Sequence, residues 1–115
     1  MMTTFEIGRK AETVAAAFLQ RKGCEILAQN WRTRHCEIDI IARKDAILYF
    51  CEVKYRSRPD QGYGMDYVTQ AKLRQMTFAA DCWIAAHHYE GDYQLAAIEV
   101  SGAAFTVTNA ITDLS

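Results

Sequence analysis

Asp39, Glu52 and Lys54 are the residues whose types and spacing can do chemistry. Twelve residues separate the aspartate from the glutamate, and one separates the glutamate from the lysine. Successive side chains of a strand point to opposite faces, so Glu52 and Lys54 share a face and Val53 takes the other. Glu37 and Asp39 share a face of the preceding strand for the same reason. A hairpin turning near Asp45 would set Asp39 almost opposite Glu52. Two carboxylates and an ammonium would then meet at one level of the sheet. Such a cluster is costly to bury unless its members pair or bind a metal. Mg²⁺ takes hard oxygen ligands, commonly one or two carboxylates with waters and a substrate phosphate. A lysine beside it can orient an attacking water or stabilise charge growing on phosphorus. A plain cross-strand ion pair satisfies the same residues, and periodicity alone does not separate the two readings.

These residues need elements to hold them. Residues 4–22 read as a helix capped by Thr3 or Thr4, with Gly23 just past its end. Ala11, Val14, Ala15, Phe18 and Leu19 recur at helical spacing and form its apolar stripe. Glu12 lies at the edge of that stripe, with Ala15 and Ala16 below it leaving room for close approach of another element. Residues 24–31 read as a first strand. Residues 36–42 and 46–54 read as a hairpin with Arg43-Lys44-Asp45 as its turn. The run Ile47–Cys51 is apolar on both faces, which suits a central strand covered by helices on each side. Residues 55–66, with Pro59, Gly62 and Gly64, read as a loop, and 66–88 as a long helix burying Leu73, Met76, Ala80, Trp83 and Ile84. Residues 93–100 form a further strand, Gly102 breaks it, and 105–111 add an edge strand. The order helix, three strands, helix, two strands predicts an α/β fold with a mixed central sheet flanked by helices.

The chain has 115 residues, half of them hydrophobic, which is the size and composition of a single domain spanning 1–115 with its own core. No apolar run is long enough to predict a transmembrane helix, and the first residues lack the pattern of a secretory signal. The expected location is therefore the cytoplasm, with no membrane partner. The cysteines at 24, 36, 51 and 82 form no CxxC pair, so they read as small buried hydrophobes rather than zinc ligands or disulfides. Neither His35 beside Cys36 nor His87 beside His88 has ligand spacing. A protein that coats nucleic acid by charge alone is normally more basic than this chain's net charge of −1, whereas a nuclease is compatible with it, because bound metal cancels part of an acidic site's charge. Trp31 and Trp83 read as core residues.

In order and spacing, Asp39 followed by Glu52-Val53-Lys54 resembles the PD-(D/E)xK nuclease signature. The resemblance sharpens to the YraN-like bacterial proteins, relatives of the archaeal Holliday-junction resolvases, and covers most of the chain. Gly8, Glu12 and Ala15 match the first helix of that family, and Asn30-Trp31-Arg32 its Asn-x-Arg segment. Glu37-Ile38-Asp39-Ile40-Ile41-Ala42 and Glu52-Val53-Lys54-Tyr55-Arg56 match its two central strands, Gly64 its loop and Lys72 its second long helix. Cys36 stands where the family has glycine, and Asp92-Tyr93-Gln94 where it has Arg-Phe-Asp. The second departure is expected to loosen support around the site or its substrate surface.

The resemblance implies a restriction-endonuclease-like core and catalytic roles for Asp39, Glu52, Lys54 and Glu12. It implies that Asp39, Glu52 and Glu37 hold Mg²⁺ or Mn²⁺. Arg32, Arg56, Lys72 and Tyr63 are the expected nucleic-acid contacts, the basic residues to phosphate and Tyr63 to a base. DNA, including branched or otherwise structured DNA, is the expected substrate of a phosphodiester-hydrolysing enzyme, and the resolvase kinship implies a homodimer. A non-hydrolytic nucleic-acid-binding module on the same fold and a structural or partner-binding protein are the alternatives.

Overall fold

The computed structural model describes residues 1–58 and 68–112. The proposed base contact Tyr63, together with Gly64 and the start of the second helix at Asp66, lies outside the described residues. The elements run α1 (Thr4–Arg21), β1 (Glu25–Arg32), β2 (Glu37–Lys44), β3 (Ile47–Arg56), α2 (Gln70–His87), β4 (Asp92–Ser101) and β5 (Thr106–Thr112). The five strands form one sheet in the order β1-β2-β3-β4-β5. β3 and β4 are parallel, with α2 as their crossover, and every other neighbouring pair is antiparallel. The fold is α/β with a mixed sheet and a helix on each face, compatible with a restriction-endonuclease-like core. No described helix is long and apolar enough to cross a membrane.

α1 starts where Thr3 accepts the Glu6 N–H and the Glu6 carboxylate accepts the Thr3 N–H. This reciprocal cap satisfies two otherwise orphaned donors and is worth about 1 kcal/mol. Gly23, at φ +93°, turns the chain out of the helix in a conformation that costs other residues more. Ala11, Ala15, Ala16 and Leu19 bury one face of α1 against Ile40, Ala42, Cys51, Ala96, Ile98 and Val100. α2 covers the opposite face of the sheet. Its Met76, Ala79, Ala80 and Trp83 pack on Ile38, Ile41, Leu48, Phe50 and Leu95. Trp83 is buried and Trp31 packs at the edge of this second core, as core residues should.

Two boundaries differ from the sequence expectation. The hairpin turns at Asp45-Ala46, with Asp45 at φ +57°, and Arg43 and Lys44 extend β2. The short side chain of aspartate tolerates the left-handed conformation that a two-residue turn requires, so the turn is tighter than three polar residues suggest. α2 begins at Gln70 because Thr69 is extended (ψ 171°) and its hydroxyl caps the Lys72 N–H. The most buried strand is β4, where Leu95 through Ser101 are all buried, rather than β3, whose burial fades after Cys51.

The feature that matters for a site is a break in β2. Residues i and i+2 of a strand share a face. Ile38 nevertheless packs with the α2-side core and Ile40 with the α1-side core. The break falls at Asp39. The register places Asn30 opposite it, between Gln29↔Ile40 and Trp31↔Ile38, and Asn30 is left-handed at φ +54°. The β2–β3 ladder also stops at Ile40↔Cys51. Beyond that point the Val53 N–H is taken by the Asp39 side chain, at 2.8 Å. A side chain thus stands between the two strands at this level.

Asn30 is therefore a conformational requirement of the kink. Asn30→Gly is expected to fold with little change in melting temperature. Asn30→Val should lower stability by about 1–3 kcal/mol, because a β-branched residue resists positive φ. Equal stability of the two variants would show that the left-handed turn is not what shapes β2.

Candidate metal and nucleic-acid site

Four carboxylates gather around the gap between β2 and β3. Asp39 lies in the gap itself. On the α1 side an open groove of about 180 Å³ is lined by Phe5, Arg9, Glu12, Arg32, Glu37 and Asp39, with Thr4, Gly8 and Asn30 completing its wall. On the α2 side a second groove of about 230 Å³ is lined by Glu37, Glu52 and Lys72, with His35, Cys36 and residues of α2. Glu37 borders both. Asp39 and Glu52 are thus neighbours across the gap rather than a pair projecting from one flat face. The kink at Asp39 is the reason, and it corrects the expectation built on unbroken alternation.

The charges are unevenly compensated. Glu52 pairs with Lys72 Nζ at 2.9 Å, Glu37 with Arg32 at 3.3 Å, and Glu12 lies 4.0 Å from Arg9. Asp39 has the Val53 N–H in place of a cation. Its carboxyl is pushed up to about 7 from an ordinary 3.8, with burial the largest cause and the neighbouring negative charge of Glu52 the next. The charges of Glu12 and Glu37 add smaller parts of that rise, and the Val53 N–H works against it. Glu12 Oε1 is buried without a hydrogen-bond partner. An orphaned buried oxygen and a carboxyl held away from its charged form both mark a place where a cation would be stabilising.

The donor set is all oxygen, which suits Mg²⁺ or Mn²⁺ and not a soft metal. No three described Asp, Glu, His or Cys side chains converge closely enough to enclose an ion. One or two carboxylates suffice for Mg²⁺ when waters and a substrate phosphate complete its shell, so Asp39 with Glu52 or Glu12 fits that requirement.

The remaining residues fall as follows. Lys54 is exposed, two positions beyond Glu52 on the same strand, and its partner across the parallel ladder is Glu99. The ammonium paired with Glu52 belongs to Lys72, not to Lys54. Arg32 is exposed at the rim of the α1-side groove. Arg56 is mostly buried, and its Nε donates to Glu99 at 2.6 Å. Glu99 is 3% exposed and also accepts the Thr108 hydroxyl at 3.0 Å. Sequence reasoning missed Glu99, although one acid inside the apolar run from Leu95 to Val100 was the available signal. It also missed Phe5 and Arg9, which the first turns of α1 bring to the groove.

Cys36 fills the space a glycine would leave between β2 and α2. Its thiol lies 3.3 Å from the Thr33 hydroxyl. All four cysteines are free. Asp92 and Gln94 sit near the start of β4, where Asp92 pairs with Ile47, while Ala97 pairs with Glu52. Five strand positions amount to about 16 Å, so the Asp92 departure is remote from the carboxylates.

A mixed five-stranded sheet between two helices, opened at an acidic kink, defines this chain as an α/β domain with a carboxylate-lined groove on each side of that kink. The model of the uncharacterised protein family UPF0102 matches residues 11–104, and the chain belongs to that family. It is 47% identical to a UPF0102 protein of Parafrankia sp. over 76% of this chain and 74% of the relative. It is 40% identical to one of Chlorobium chlorochromatii over 86% and 77%, and 34% identical to one of Vibrio campbellii over 94% and 93%. The match meets the expected YraN-like kinship at the level of the family.

Proposed function

We propose that this chain is a metal-dependent nuclease of the PD-(D/E)xK type that hydrolyses phosphodiester bonds in DNA in the cytoplasm, including branched or structured DNA. The observation that carries the reading is Asp39: a half-buried carboxyl crowded by three others and wedged where two strands part. A plain ion-pair network would give this residue a cation, as it does its neighbours. Asp39 and Glu52 would hold Mg²⁺ or Mn²⁺, with Glu12 and Glu37 as the supporting carboxylates. The bound ion would supply a water of lowered pKa and screen charge developing on the phosphate. Arg32 stands at the rim where the incoming strand's phosphates would meet it. Lys54, exposed two positions beyond Glu52, would take the role of stabilising charge on the reacting phosphate. Lys72 must yield part of its hold on Glu52 when the ion enters.

That Lys72–Glu52 pair favours a second reading, in which the cleft binds nucleic acid without cutting it. Incubation with labelled linear, nicked and four-way-junction DNA separates the two. Mg²⁺- or Mn²⁺-dependent cleavage that chelation abolishes is the expected result. Binding without cleavage at any metal concentration would transfer the site to the binding-module reading, and neither binding nor cleavage would leave the carboxylates a structural network.

A further inference from the structure

Phe5 is the least ordinary residue near the cleft. It is 68% exposed, on the first turn of α1, at the groove that holds Glu12 and Asp39. An exposed apolar side chain standing alone on a surface needs no explanation. Phe5 does not stand alone. The Arg9 guanidinium lies over its ring, 5.0 Å from the centroid, and Arg32 borders the same groove. The Arg9–Phe5 contact contributes a little to the helix as an i,i+4 pair. That contribution does not require a ring at the mouth of an acidic groove.

The groove therefore has three chemical parts. Its recessed part is acidic, with Asp39 and Glu12, and Glu37 adds a further carboxylate at the exposed edge. Its rim carries two guanidinium groups, those of Arg9 and Arg32. Beside them stands a flat apolar ring with most of its surface in water. A ligand matching all three parts carries phosphates for the arginines and a planar face for the ring, and tolerates a cation on the carboxylates. That description fits a nucleotide whose base is out of the helical stack. Paired bases in a duplex hide their faces against one another, so the ring could not reach them. A base freed at a single-stranded stretch, flap or branch point exposes the face that an aromatic side chain can cover.

We infer that Phe5 is a stacking platform for an unpaired base, and that Phe5, with Arg9, makes the protein prefer single-stranded or locally unpaired nucleic acid over continuous duplex. The inference rests on the nuclease reading, since it places that base beside the phosphate facing Asp39. It makes Phe5 a specificity-determining residue rather than a catalytic one.

The test is fluorescence anisotropy with a labelled single-stranded oligonucleotide, a blunt duplex of the same sequence and the duplex with a short single-stranded flap, all without divalent metal. The wild type should bind the single strand and the flap more tightly than the blunt duplex. Phe5→Ala should weaken single-strand and flap binding about tenfold, as loss of one base stack does, and leave duplex binding unchanged. Phe5→Trp should restore it. The salt dependence of binding should be the same in all three proteins, because no charge is altered. Melting temperature serves as the control for folding, and the exposed ring should leave it nearly unchanged. Equal weakening on all three ligands, or no effect on any, would overturn the inference. If the wild type cleaves DNA and Phe5→Ala keeps its strand preference, this inference alone fails. If the wild type neither binds nor cleaves any nucleic acid, the nuclease reading fails and takes the inference with it.

Discussion

Asp39→Asn is expected to reduce metal-dependent DNA cleavage by about three orders of magnitude or more while leaving the fold intact. The amide oxygen that replaces the carboxylate can still accept the Val53 N–H, now bonded to Asp39 at 2.8 Å, so the strand gap keeps its shape. What disappears is a full negative charge where a divalent ion would sit. Loss of such a ligand forfeits several kcal/mol of transition-state charge stabilisation, and each 1.4 kcal/mol is about tenfold in rate. Glu52→Gln should show a comparable loss, with the added consequence that Lys72 is released from its 2.9 Å pair. Lys72→Met offers the contrast. It frees Glu52 without removing a carboxylate, so metal should bind more tightly even if DNA binds more weakly. Single-turnover rates across a Mn²⁺ titration separate the three variants. Wild-type rates in Asp39→Asn would remove Asp39 from the catalytic machinery, and with it the argument from its position.

The sequence carried the architecture well where one physical cause dominated. Thr3 and Gly23 bracket α1 because capping and positive φ are local demands, and the Ile47–Cys51 run reads as covered on both faces because no polar residue interrupts it. The juxtaposition of Glu12 with Asp39 was also legible, through the alanines that let α1 lie close to the sheet. The kink was not. Alternation assumes an unbroken strand, and nothing in Glu37-Ile38-Asp39-Ile40 announces that Ile38 and Ile40 will pack on opposite sides of the sheet. Asn30 held the signal, but an asparagine in a strand pattern has too many ordinary explanations to be read as a left-handed residue. The pairing of Glu52 with Lys72 depends on where α2 starts, which the Thr69 cap sets and hydrophobic spacing does not. Arg56 illustrates the same limit. Its place after Glu-Val-Lys suggested phosphate contact, and only the fold shows Glu99 buried against it.

The second large effect is on stability, and its sign follows from the same carboxyl. Asp39 is pushed up to about 7 in the folded protein from an ordinary 3.8. The folded state therefore binds this proton more tightly than the unfolded chain does, and stability falls with pH wherever only the folded state holds it. The contribution is fully present below pH ~4, is lost progressively as pH rises through about 7, and is gone above that. Its size is on the order of 4 kcal/mol, at 1.36 kcal/mol per pH unit between the two titrations. Metal-free protein is thus expected to melt at a higher temperature at pH 5 than at pH 8, apart from the titration of its other groups. Asp39→Asn should flatten that difference and, at pH 8, should melt above the wild type, because it removes a half-buried charge crowded by like charges and keeps the hydrogen bond. Mn²⁺ reverses the order. An ion that binds only the folded state at a hundred times its dissociation constant adds about 2.7 kcal/mol, or roughly 10 °C for a domain of this size. That gain should be large for the wild type at pH 8, small at pH 5 where a proton competes for Asp39, and absent in Asp39→Asn. Melting curves at the two pH values, with EDTA and with Mn²⁺, give all the comparisons in one set. If Asp39→Asn instead loses stability at pH 8 and Mn²⁺ shifts neither protein, Asp39 is ionised and satisfied in the fold as it stands, and the cluster is an ion-pair network rather than a cation site.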